Sequence, residues 1–208
     1  QVAALTSTAF AALTTADLSA LTSAAVAGIS SADVGTLDTA EVQALGTDIA
    51  NMGAAAMAAL TSVQVAALTT AQIAALGSED IAALNSAAVA GFTSAQVAAL
   101  TSTAFATLTT AELQLLTSAA LAGITTADVG TLDTAEVQAL GTDIANMGTA
   151  AMAALTSVQI AAMTTDQIAA LGSEDTAVLS SAALAGLTSA QVAALTSTAF
   201  AALTTADL

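Results

Sequence analysis

One octapeptide, restated without interruption, constrains this chain more than any other feature. Thr93-Ser94-Ala95-Gln96-Val97-Ala98-Ala99-Leu100 is one copy and Thr69-Thr70-Ala71-Gln72-Ile73-Ala74-Ala75-Leu76 is another. The octet runs from the first residue to the last, with no linker, charged tail or catalytic loop between copies. Such a chain is a repeat array whose units bury their apolar faces only against neighbours. Residues 1–208 therefore read as one continuous array.

Octet position five is apolar in Phe10, Leu18, Val26, Val34, Val42, Val65, Ile73, Ile81 and Val89. Position eight is apolar in Leu13, Leu21, Ile29, Leu37, Leu45, Leu60, Leu68, Leu76 and Phe92. Thr176 is the exception at position five. It sets a hydroxyl where other copies carry a methyl group, and is expected to weaken its octet. Positions six and seven are mostly Ala, sometimes Gly, as at Gly28, Gly35 and Gly91. Position one is Thr, Ser, Asp, Asn or Gly, and position four is Gln, Asp, Glu or Ala.

This order predicts a helix start in every octet. Thr or Ser followed three residues later by Gln or Glu, as in Thr93 to Gln96 and Thr109 to Glu112, is a capping box. Asp at the same place, as in Asp17 and Asp33, favours the positive end of the helix dipole. Of the 16 acidic residues, 11 sit just before the first apolar anchor: Asp17, Asp33, Glu41, Asp48, Asp80, Glu112, Asp128, Glu136, Asp143, Asp175 and Asp207. Their expected role is capping and solubility. Ala, Leu, Gln and Met, all good helix formers, fill the rest of the octet. Positions five and eight lie three apart and share a helix face.

A single long helix does not fit. At about 100° per residue, eight residues overshoot two turns by roughly 80°, so the apolar stripe would circle the helix within a few octets. A break at each Thr-Ser or Thr-Thr pair removes the conflict. The predicted fold is therefore all-α: a superhelical solenoid of roughly two-turn helices, each unstable alone and stable when stacked. The alternative is a β-solenoid, since Thr, Val and Ile favour strands. Against it, Ala dominates, Ala-Ala pairs break strict alternation, and the glycine-rich aspartate nonapeptide of calcium-binding β-rolls is absent.

A longer period overlies the octet. Segments 6–100 and 101–195 align without gaps and differ at 16 positions, leaving 79 of 95 residues identical. Partial copies flank them, so the chain has the look of a window cut from a longer array. Each copy holds one short unit of seven residues, Gly46-Thr47-Asp48-Ile49-Ala50-Asn51-Met52 and its counterpart at 141–147. Two readings of that unit stand at this point: a fixed irregularity in the coil, or a duplication carried along passively.

Composition removes whole classes of function. The chain has no Lys, Arg or His and a net charge of −16. Phosphate neutralisation is out of reach, so nucleic acid is not an expected partner. Anionic membranes are equally disfavoured. Without His or Cys there is no soft metal site and no disulfide. Chemistry would rest on Asp, Glu, Ser and Thr alone, without imidazole or amine as base. An enzyme is not expected, and no catalytic, cofactor-binding or metal-ligating residue is assigned. Despite 56% hydrophobic residues, Thr and Ser interrupt every octet, so no membrane-spanning run exists.

The octets Thr-Ser-Ala-Gln-Val-Ala-Ala-Leu and Thr-Thr-Ala-Gln-Ile-Ala-Ala-Leu resemble the Ala/Thr-rich octapeptide arrays of very large secreted bacterial surface proteins, often adhesin-like. The resemblance covers the whole chain. It implies an extended spacer or filament at the cell surface or outside the cell. The expected function is thus structural: an extracellular rod, filament, sheath or adhesin stalk that self-associates along or between arrays. Two other readings are an ice-binding face of spaced Thr hydroxyls and a calcium module built on pairs such as Glu79-Asp80 and Glu174-Asp175.

Overall fold

The computed structural model describes residues 2–203. Among them the chain is a succession of short helices with no strand, an all-α repeat solenoid. The β-solenoid alternative is thereby excluded. The residues form two compact units, Gln1–Leu108 and Thr109–Leu208.

The helices are shorter than the two turns the octet suggested. Ser31–Val34 has four residues, Thr15–Ser19 five and Ser62–Ala67 six. The reason is local. The position-one residue is extended, as at Thr69 with φ −72° and ψ 157°. In many octets the residue at position eight is also extended, as at Leu76 with ψ 129°. These corner residues leave at most six of eight for the helix.

Within the first unit every helix lies against the helix three octets further on. Thr15–Ser19 packs on Thr39–Ala44, Ser62–Ala67 on Ser86–Val89, and Ser78–Ala83 on Ser102–Phe105. The second unit repeats the rule: Thr110–Leu113 packs on Thr134–Ala139, and Ser157–Ala162 on Ser181–Leu184. Each unit is thus a coil with three octets per turn. Position five points into it: Val34, Val42, Val65, Ile73, Val137 and Ile168 are wholly buried. Position eight completes the core through Leu60, Leu68, Leu76, Leu140 and Leu155. Fully burying one such side chain is worth about 1.5–3 kcal/mol, which offsets the instability of a one-turn helix.

Two kinds of glycine are required by geometry. Gly46 and Gly141 open the seven-residue units with φ of +54° and +56°. A left-handed glycine here replaces the extended corner residue, so the coil turns with one residue fewer. A 3-10 helix follows in each, Gly46–Asn51 and Gly141–Asn146, with Ile49 and Ile144 wholly buried. The short unit is therefore a built joint. Gly91 and Gly186 answer a different need. A Cβ on Gly91 would stand 2.2 Å from the Ser62 carbonyl oxygen, and one on Gly186 2.1 Å from that of Ser157. Only a hydrogen lets successive turns approach so closely.

Candidate functional site

The chemistry-bearing side chains of this chain are concentrated at the helix starts, and nearly all of them are engaged there. Thr14 caps Thr15–Ser19, its Oγ1 accepting from the Asp17 N–H at 3.3 Å while Asp17 Oδ2 accepts from the Thr14 N–H at 2.9 Å. The Thr109–Glu112 and Thr125–Asp128 boxes repeat this arrangement. Asp38 and Glu41 close a box from two carboxylates, each accepting the other's backbone N–H at 2.8 Å. Eight of the eleven acids expected to cap do so on their own helix: Asp17, Asp33, Glu41, Asp80, Glu112, Asp128, Glu136 and Asp175. Asp48 and Asp143 act otherwise. Each accepts the hydroxyl of a serine 25 residues earlier, Ser23 at 2.7 Å and Ser118 at 2.9 Å. Asp207 lies outside the described residues.

Two carboxylates have distinct acidity. The hydroxyl and N–H of Thr14 hold Asp17 below the usual carboxylate range. Burial pushes Asp33 up, but hydrogen bonds from the Ser30 hydroxyl and N–H, aided by the nearby Ser7 hydroxyl, outweigh it and leave the group lowered. Asp33 is 3% exposed, and its Oδ1 is the one buried side-chain oxygen without a hydrogen-bond partner among the described residues.

Glutamine at position four does more than cap. Gln64 Oε1 accepts from the Thr61 N–H at 2.9 Å, closing the box. Its Nε2 donates to the carbonyls of Val34 at 2.9 Å and Leu37 at 2.8 Å, on the preceding turn. Gln72 reaches Val42 and Gly46, and Gln96 reaches Val65 and Leu68. In the second unit Gln159 reaches Val129 and Leu132, Gln167 reaches Val137 and Gly141, and Gln191 reaches Ile160 and Met163. All six amides are buried. Each satisfies carbonyls that a corner between octets leaves unpaired inside the coil. Asn85, at position one, does the same for Ala58 and Leu60.

The sequence reading treated Gln, Glu and Asp at position four as equivalent caps and missed this second arm. The available signal was the amide itself, which carries a donor that a carboxylate lacks. Thr176 also departs from expectation. It is buried, but its hydroxyl lies 3.0 Å from the Gly172 carbonyl oxygen, within its own octet, and 3.1 Å from that of Ala199.

The acid pairs behind the calcium reading have a defined use: Asp80 and Asp175 each accept a glycine N–H at 2.8 Å, from Gly77 and Gly172. Among the described residues no three acids gather where they would hold a metal ion. No helix among them is long and apolar enough to cross a membrane.

An octet coil stitched by side-chain amides defines an all-α repeat protein. The ALTTAQ repeat matches at residues 10–47, 47–78, 73–110, 142–173 and 168–205, and Ala67 to Gln72 spell that motif letter for letter. The chain belongs to the ALTTAQ repeat family. No curated protein and no solved structure matches it.

Proposed function

We propose that this array is a structural element: an extended extracellular rod, filament, sheath or stalk of an adhesin-like bacterial surface protein, without catalysis. The observation that carries this reading is the use of the side chains. The same groups that start each helix also tie it to the preceding turn, so stability accumulates octet by octet and length can grow without redesign. The absence of Lys and Arg, which leaves trypsin no site, suits life outside a cell. Self-association along or between arrays belongs to the same proposal.

Small-angle scattering on this chain and on versions with one and two further copies of segment 101–195 tests it. The account expects the maximum dimension to rise by an equal step with each copy. A radius that instead grows as the cube root of mass, as for a compact globule, overturns it.

A further inference from the structure

We propose that an apolar groove in the second unit receives another copy of this chain, joining arrays end to end; the proposal rests on the structural reading above. The groove, about 360 Å³, is lined by Leu184, Leu187, Val192, Leu195, Phe200 and Leu203 and carries no charged side chain.

An internal control shows what such a groove fits. Octets 6–13 and 196–203 are identical in sequence. Phe10 is 1% exposed and Phe200 45%. Phe10 belongs to Ser7–Phe10, on which Ser31–Val34, three octets on, is packed. Val65 and Val192 form a second pair, at 0% and 40% exposure, and Ser86–Val89 packs on the helix of Val65. The groove thus has the shape and chemistry of a surface that elsewhere takes an octet.

The first unit presents the complement. Its opening octets bury position five at Phe10, Leu18 and Val26 but leave position eight uncovered. Leu5 is 41% exposed, and Leu13 and Leu21 are half-buried, whereas Leu60, Leu68, Leu76 and Leu84 are buried. One face shows position-five side chains and the other position-eight side chains, the two sets that form the core of a turn. Their union is a head-to-tail contact, which propagates into an open filament. The charge of −16 opposes association at low salt, so screening is needed to reveal it.

Sedimentation velocity in 0.5 M salt, a concentration at which the Debye length is about 4 Å, is the test. The wild-type mass is expected to climb with concentration above the 19.8 kDa of one chain. Val192→Asp and Leu13→Asp each block one face, and each should sediment as a single chain. Mixed together, they should form a two-chain species and stop there, because each contributes one intact face. Val63→Asp, at an exposed site elsewhere, should leave association intact. A wild-type mass fixed at one chain, a mixture that does not pair, or association lost with Val63→Asp overturns the proposal. Chains that stay single yet lengthen stepwise with added repeats would sink this inference alone and leave the rod reading standing.

Discussion

The stretch 61–76 and the stretch 14–45 of the first unit use the same octet with different residues at position four. In the first, Gln64 and Gln72 close their own helices and also donate to backbone carbonyls 26 to 30 residues back. In the second, Asp17, Asp33 and Glu41 close their helices and reach no further. Asp33 is as buried as the glutamines but ends in an oxygen without a partner. Exchanging an amide for a carboxylate keeps the helix start and removes the tie between turns. Local order and the coil are therefore separable in this repeat.

The largest expected effect comes from breaking that difference directly. Gln72→Glu keeps the cap but sets a charged oxygen against the Val42 and Gly46 carbonyls at a buried site. It should destabilise the protein by about 3 kcal/mol or more at pH 7, read by urea titration, and by less at pH 3 where the group is neutral. Glu41→Gln, at a half-buried site with no cross-turn partner, should change stability by under about 1 kcal/mol. Equal effects from the two would erase the distinction drawn here.

A smaller effect sharpens the comparison at position five. Thr176 spans turns through the Ala199 carbonyl, while its counterpart Ile81 offers only packing. Thr176→Val should therefore cost about 1 kcal/mol by leaving that carbonyl unpaired. Thr176→Ile should gain less than the 1–2 kcal/mol that methyl burial alone would supply, because the same bond is lost. A melting temperature raised as much by Val as by Ile would show the hydroxyl to be idle.

The smallest effect is set by pH. Asp17 and Asp33 have lowered acidity constants in the fold, held by Thr14 and, against burial, by Ser30. Their contribution is present above the unfolded value near 4 and is lost as pH falls through the lower folded value. Hydrogen exchange between pH 5 and pH 2, corrected for intrinsic rates, should show amides of 14–37 losing protection before those of 61–76. The reverse order would place the acid-labile ties elsewhere.

Much of this fold was legible in the octet. The apolar positions five and eight, the caps at position one and the acids at position four reappear in the structure in the roles their spacing implied. What spacing did not carry was the angle at each corner. A period of eight says where a helix restarts and not how far the chain turns, so three octets per turn had to come from the structure. Helix length was overstated because extended corner residues such as Thr69 and Leu76 take their share of the octet. Gly46 looked like a deletion scar and is a left-handed joint. Gly91 looked like one more small residue and is a contact point between turns. The second arm of glutamine stayed hidden because its carbonyl partners lie some 30 residues away, beyond any local pattern.

The central claim is that glutamine amides join successive turns of a three-octet coil. Nuclear Overhauser spectroscopy on protein with labelled glutamine side chains measures this directly. The account predicts cross-peaks from the Gln96 side-chain amide protons to Val65 and Leu68, residues 31 and 28 positions away. Cross-peaks confined to its own octet and to octets one or two positions along would contradict it.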